Sequence, residues 1–248
     1  MICCRIFTVF RFPFARLDGI GVAFCLIDEP NRQKNNSART IGQSPDTEAI
    51  LLERLKNSAN SDDYFRWMLF VVGFYRGINN IDAATDLLEG FIKAGKDAEQ
   101  TAHCYLALGQ IATDEQRFED ALKCFTLALE RAPKRKKVTY VLHNNIAFCL
   151  NSLARYSEGE AHCREAIEVD WTRASAYRNL GISLQGRGNA RAAAWALVEA
   201  VRADPADQRA RAILHKLVTL VPSLSVECPW AIDALESDST VDPDLPLN

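Results

Sequence analysis

A step of twelve residues constrains this chain more than anything else in it. Gly109 to Ala121 is twelve residues, and Ala121 to Pro133 is twelve again. The same metre runs from Gly181 to Ala193 to Pro205, and weaker copies keep it at Ala147, Gly159 and Trp171, and at Val72, Ala84 and Lys96. Large apolar residues hold fixed places around the anchors: Tyr105, Leu108 and Phe125 in one copy, Tyr177, Leu180 and Leu197 in another. A small residue on each of two antiparallel helices lets them approach closely, with bulky neighbours filling the space beside the contact. Proline cannot continue a helix and so closes each unit. Asp114-Glu115-Gln116-Arg117 and Gly186-Arg187-Gly188-Asn189 have the turn chemistry expected between the two helices of a unit.

These residues resemble the tetratricopeptide repeat, whose pattern runs aromatic-x-x-Leu-Gly-x-x-Tyr, then Ala-x-x-x-Phe, then Pro. The resemblance predicts repeats at about 65–96, 102–133, 140–171 and 174–205, of which the second and fourth match well. In the third, His143, Ala147, Gly159 and Trp171 replace the usual types; in the first, Val72 and Lys96 do. It implies an all-α fold, a right-handed α-solenoid of about four helix-turn-helix repeats with flanking capping helices. The step between anchors is 37 from Val72 to Gly109, 38 from Gly109 to Ala147 and 34 from Ala147 to Gly181. The longer steps place extra residues ahead of the second and third repeats. One insertion is Lys134-Arg135-Lys136-Lys137, read as a solvated loop or a lengthened helix start, with a docking patch for acid as the alternative.

Because each repeat leaves an apolar face for its neighbour, both ends of the stack need caps. Ser44-Pro45-Asp46 opens a capping helix before the first repeat, and 206–221 reads as the closing helix, ended by Pro222. The helical domain is thus 44–221. The acidic stretch 222–248 has the composition of a disordered tail, with an apolar island from Cys228 to Leu235 that either folds back onto the groove or extends the packing of the closing helix. The N-terminal segment 1–43 stays open. Alternation over residues 5–12 fits a strand better than a helix, a two-strand ribbon is one reading, and a true start further downstream is another. Arginines throughout and the lack of a small-x-small site make it a poor secretory signal.

A net charge of −3 gives no general pull toward nucleic acid, and no apolar run approaches the length of a membrane span. The eight cysteines contain no Cys-x-x-Cys pair and read as small apolar core thiols in a reducing, cytoplasmic setting. No metal or cofactor is expected, since His103-Cys104 and His162-Cys163 are helix neighbours that point about 100° apart. No Gly-x-Ser-x-Gly, phosphate-loop or His-Glu-x-x-His motif appears, so no catalytic residue is assigned and an enzyme is not expected.

The family resemblance implies instead a protein or peptide partner held along the first helices of successive repeats. Carried over residue by residue, the groove would comprise Leu106, Gln110, Thr113, Asn144, Asn145, Phe148, Asn151, Arg178, Asn179, Ile182 and Gln185, then Arg209 and Lys216 from the closing helix. Asn and Gln offer both donor and acceptor to a bound backbone amide. A chaperone-binding subgroup grips C-terminal carboxylates with Lys, Asn and Arg; Asn145, Asn179 and Arg209 match parts of that set. Leu106, Ser175 and Ile213 occupy the remaining basic positions, so the clamp is incomplete. The function expected is an adaptor or scaffold, with an assembly or targeting factor of a secretion or envelope system as the alternative.

Overall fold

The computed structural model describes residues 45–59, 63–95, 97–131 and 133–236. The expectations for 1–43, for the Ser44 cap, for Lys96 and for 237–248 lie outside the described residues. Helix pairs follow one another along the chain: α1 (Pro45–Asn57), α2 (Tyr64–Gly77), α3 (Ile81–Lys93), α4 (Ala98–Asp114), α5 (Phe118–Glu130), α6 (Lys136–Ser152) and α7 (Tyr156–Val169). They continue with α8 (Ala174–Gly186), α9 (Ala190–Ala203), α10 (Gln208–Leu220), α11 (Leu224–Glu227) and α12 (Pro229–Glu236). Consecutive helices pack in antiparallel pairs, α2 with α3, α4 with α5, α6 with α7 and α8 with α9, and each pair then packs on the next. Over the described residues the protein is an all-α helical-repeat solenoid.

The small residues of the metre sit where the helices meet. A Cβ added to Gly109 would lie 2.6 Å from Phe125 Cδ1, and one on Gly181 would lie 2.6 Å from Leu197 Cγ. Glycine is therefore required there so that the large side chain of the second helix can rest on the first helix's backbone. Ala121, Ala193, Phe125 and Leu197 are each no more than 1% exposed, as is Leu180. The degenerate repeats keep the packing with other residues: Val72 and Ala84 are buried, as is Ala147, and Gly159 lies beneath Asn151. Tyr105, Leu108 and Tyr177 are partly buried against the same clusters.

The two long steps lengthen first helices. α4 and α6 have 17 residues, against 13 for α8, and their extra residues lie at the N-terminal ends, so Lys136 and Lys137 form the first turn of α6. The stretch after 222 corrects the expected tail. Between 222 and 236 it forms α11 and α12, which pack on α9 and α10 and bury Leu224, Cys228 and Ala231 to 1% or less. Acidic residues there face outward, so composition suggested disorder while the apolar positions built an end cap. The island from Cys228 to Leu235 therefore covers the end of the stack and does not lie over the groove.

All four intra-repeat turns share one geometry. Asn79, Gln116, Ala154 and Gly188 have positive φ, at 62°, 60°, 58° and 78°. In each, the next residue's amide reaches back five residues: Asn80 to Tyr75, Arg117 to Ala112, Arg155 to Leu150 and Asn189 to Leu184, at 2.8–2.9 Å. This is the Schellman closure of a helix, and it favours glycine at the left-handed position. Only Gly188 has it. Ala154 is exposed and carries the strain of an L-residue in that region. Ala154→Gly should therefore stabilise the fold by about 0.5–1 kcal/mol, raising Tm by about 1–4 °C, and Gly188→Ala should cost a similar amount. Thermal unfolding of the two variants beside wild type checks this; a loss of stability in Ala154→Gly would contradict the shared turn geometry.

Candidate functional site

The residues expected along the first helices divide into two sets. Gln110, Thr113, Asn145, Phe148, Ile182 and Gln185 are partly exposed, and Arg209 and Lys216 are exposed. Gln110 Oε1 accepts from Arg76 Nη1 at 3.5 Å, while Arg76 Nη2 pairs with Asp114 at 3.1 Å. That bridge ties α2 to α4 along the same face. Thr113 Oγ1 donates to the Gly109 carbonyl at 2.8 Å, and Phe148 meets Phe118 edge to face with ring centres 6.0 Å apart.

The second set is buried, which corrects its assignment to a ligand-contacting surface. Leu106 and Asn179 are 0% exposed, Asn144 2%, Arg178 6% and Asn151 9%. Asn179 Nδ2 donates to Asn144 Oδ1 at 3.1 Å, and Asn151 Nδ2 donates to the Asn179 carbonyl at 2.9 Å. Ser183 Oγ completes the seam by donating to Asn151 Oδ1 at 2.7 Å. Tyr140 OH and Ser175 Oγ, 2.7 Å apart, extend it toward the other end of the two helices. These groups face the neighbouring first helix, so they hold α6 and α8 in register and are out of reach of a ligand. Ser183 and Asp207 were not foreseen. Their signal was present: Asn144 and Asn179, and Asn151 and Ser183, stand about one repeat apart.

Arg178 is neutralised inside the fold. Its guanidinium pairs with Asp207, and both side chains are under a tenth exposed. Asp207 also caps α10, its Oδ1 accepting from the Arg209 and Ala210 amides at 3.0 and 3.1 Å. One carboxylate thus closes a helix and anchors it to the last repeat. Asp207→Ala would take its carboxylate away from a buried cation and remove the cap, and should lower stability by about 3–5 kcal/mol in urea unfolding. Asp207→Asn, which retains a capping oxygen but not the charge, should fall between it and wild type.

His143 on α6 and His162 on α7 meet Nδ1 to Nδ1 at 3.0 Å, one neutral ring donating to the other. Burial pushes both below the ordinary histidine range; His143 lowers His162 further, and Glu165 and, for His162, Glu158 oppose the shift. His103 is likewise pushed down by burial. Burial drives the thiols the other way, Cys104 and Cys163 to about 12 and Cys149 to about 11, so these cysteines are poor nucleophiles. For a histidine with a lowered folded pKa, the unfolded chain binds more protons between the two values. Stability is then complete above the unfolded pKa of about 6.5 and declines as pH falls toward the folded values. Tm should drop between about pH 7 and pH 5, and His162→Gln should shrink that drop.

The family model described as tetratricopeptide repeat matches residues 102–135. The Hsp70-Hsp90 organizing protein of Triticum aestivum is 33% identical over 108 residues, 43% of this chain and 18% of that protein. The chain therefore spans under a fifth of the length of this curated relative. Among solved structures, MamA from Desulfovibrio magneticus RS-1 matches 72% of this chain and 97% of its own, with a TM-score of 0.58 and 14% identity. The Hsp90 co-chaperone Cns1 from Saccharomyces cerevisiae matches 58% of this chain and 46% of its own, with a TM-score of 0.50 and 17% identity. At such identities the structural likeness concerns the fold alone. With repeated helix pairs on one metre and glycine seats under Phe125 and Leu197, the described residues fold as a helical-repeat solenoid, and residues 102–135 match the tetratricopeptide repeat.

Proposed function

We propose that this protein is a non-catalytic interaction adaptor of co-chaperone type, gripping an extended or helical segment of a partner protein along α4, α6, α8 and α10. The observation that carries the reading is the placement of Gln110, Asn145 and Gln185. These carboxamides remain partly exposed on successive first helices, while their neighbours are locked into the buried seam. A rigid backing with protruding carboxamides suits recognition of a partner's backbone, because each amide offers a donor and an acceptor. Phe148 and Ile182 between them add apolar contact, and Arg209 and Lys216 put positive charge at the far end. The relative from wheat is named as a chaperone-organizing protein, which supports the co-chaperone class.

The terminal-carboxylate mode of the chaperone-binding subgroup is not favoured. Asn179, Leu106 and Ser175, at clamp positions, are all 5% exposed or less. A carboxylate brought to that part of the face would meet no cation from them.

Affinity capture with quantitative mass spectrometry, using the full chain and its Asn145→Ala/Gln185→Ala variant, tests the reading. Loss of two such hydrogen-bonding groups should weaken a groove-bound partner about tenfold with Tm almost unchanged. Retention of every partner at wild-type levels would overturn it.

A further inference from the structure

The repeat scaffold accounts for the first helices but not for a basic ledge at one edge of the stack. The insertion that lengthens α6 brings Lys136 and Lys137 against the α7–α8 turn, where they line a notch of about 400 Å³ with Val169, Asp170 and Arg173. Lys134 and Arg135 approach the same edge and are exposed. Arg135 Nε lies 3.6 Å from Glu99 and the Arg173 guanidinium sits 4.3 Å over the Tyr140 ring, so both cations are held in place. Lys136 and Lys137 are exposed.

The second feature is Trp171. It stands where Pro133 and Pro205 end the well-formed repeats, and it is 71% exposed. The turn presenting it is fixed: Asp170 Oδ1 accepts from the Thr172 amide at 3.1 Å and from Thr172 Oγ1 at 2.7 Å. These bonds keep the Asp170 carboxylate below its usual range and direct its charge into its own turn. An indole held in water by a rigid turn beside a charged notch has the make-up of an interface anchor, since tryptophan is enriched among residues that dominate binding.

We propose that this ledge is a second docking surface, separate from the groove, for a short acidic segment of a partner protein carrying one aromatic or aliphatic side chain. Carboxylates would meet Lys136, Lys137 and Arg173, and the apolar side chain would cover Trp171. Charge complementarity argues for a short acidic peptide over nucleic acid. The cationic strip is only one notch long, Glu99 and Asp170 border it, and the chain as a whole carries −3, which opposes a long polyanion.

The test is fluorescence anisotropy with the full chain and a short fluorescein-labelled peptide of Asp and Glu around one Phe. Lys136→Glu/Lys137→Glu should weaken binding at least about tenfold, and glutamate in the first turn of a helix does not oppose folding. Trp171→Ala should weaken it about fivefold, and Asn145→Ala/Gln185→Ala should leave it within about twofold. Raising salt should weaken wild type more than the charge-reversed protein. Equal binding by the charge-reversed chain, or tighter binding of a single-stranded RNA of the same length, would overturn the proposal. A large gain in peptide affinity on changing Asp238, Asp242 and Asp244 to Asn would assign the ledge to the chain's own acidic end, and would overturn the partner reading too.

Discussion

The seat of one large side chain on a bare helix backbone organises this molecule. Phe125 lies against Gly109 and Leu197 against Gly181, each so close that a methyl group at the glycine could not be accommodated without movement. Such contacts set the separation and angle of the two helices in a repeat, because packed interiors tolerate little change in volume. Everything outward follows from that spacing. The second helix is positioned to receive the next repeat, and the first helices of neighbouring repeats come near enough for side chains to bond across them, as α6 and α8 do.

The turn is the second invariant, and it outlasts the sequence pattern. Asn79, Gln116, Ala154 and Gly188 share little chemistry, yet all adopt the left-handed conformation with the same backbone closure. Packing on either side thus overrides local preference at Ala154, where an exposed alanine bears a conformation glycine would take freely. The repeat whose anchors are most altered is also the one with an alanine at this position. Its regularity comes from neighbours on both sides, as expected of stacked repeats whose stability is shared across interfaces.

How much could be read beforehand depended on which neighbour covers a given face. The twelve-residue metre located Gly109, Ala121, Gly181 and Ala193 because a close helix contact admits few residue types. Periodicity also placed Asn144, Asn145, Asn151, Arg178 and Asn179 on first helices, but it could not tell which part of each helix faces the adjoining repeat. Asn145 stays partly exposed, while Asn144 and Asn179 are buried against each other. Polar identity was misleading because paired amides satisfy one another and lose the need for water. The segment after 222 misled in the opposite sense: its acidic residues dominate the composition, while a few apolar side chains, Leu224, Cys228 and Ala231, decide its packing.

The irregular spacing has a structural consequence beyond register. Had the step into the third repeat kept the 34 residues of the next one, α6 would begin near the level at which α8 begins. The added residues instead extend α6 by about a turn at its N-terminal end, beyond the point where α8 begins to cover it. Lys136 and Lys137 remain exposed there, while Val138 and Tyr140, a few residues on, are buried. The same edge receives the turn from α7, in which Trp171 replaces the closing proline. Insertion and substitution therefore act at one place: the departures from the repeat build a ledge that a regular solenoid would lack, while the groove is left to the residues that keep the pattern.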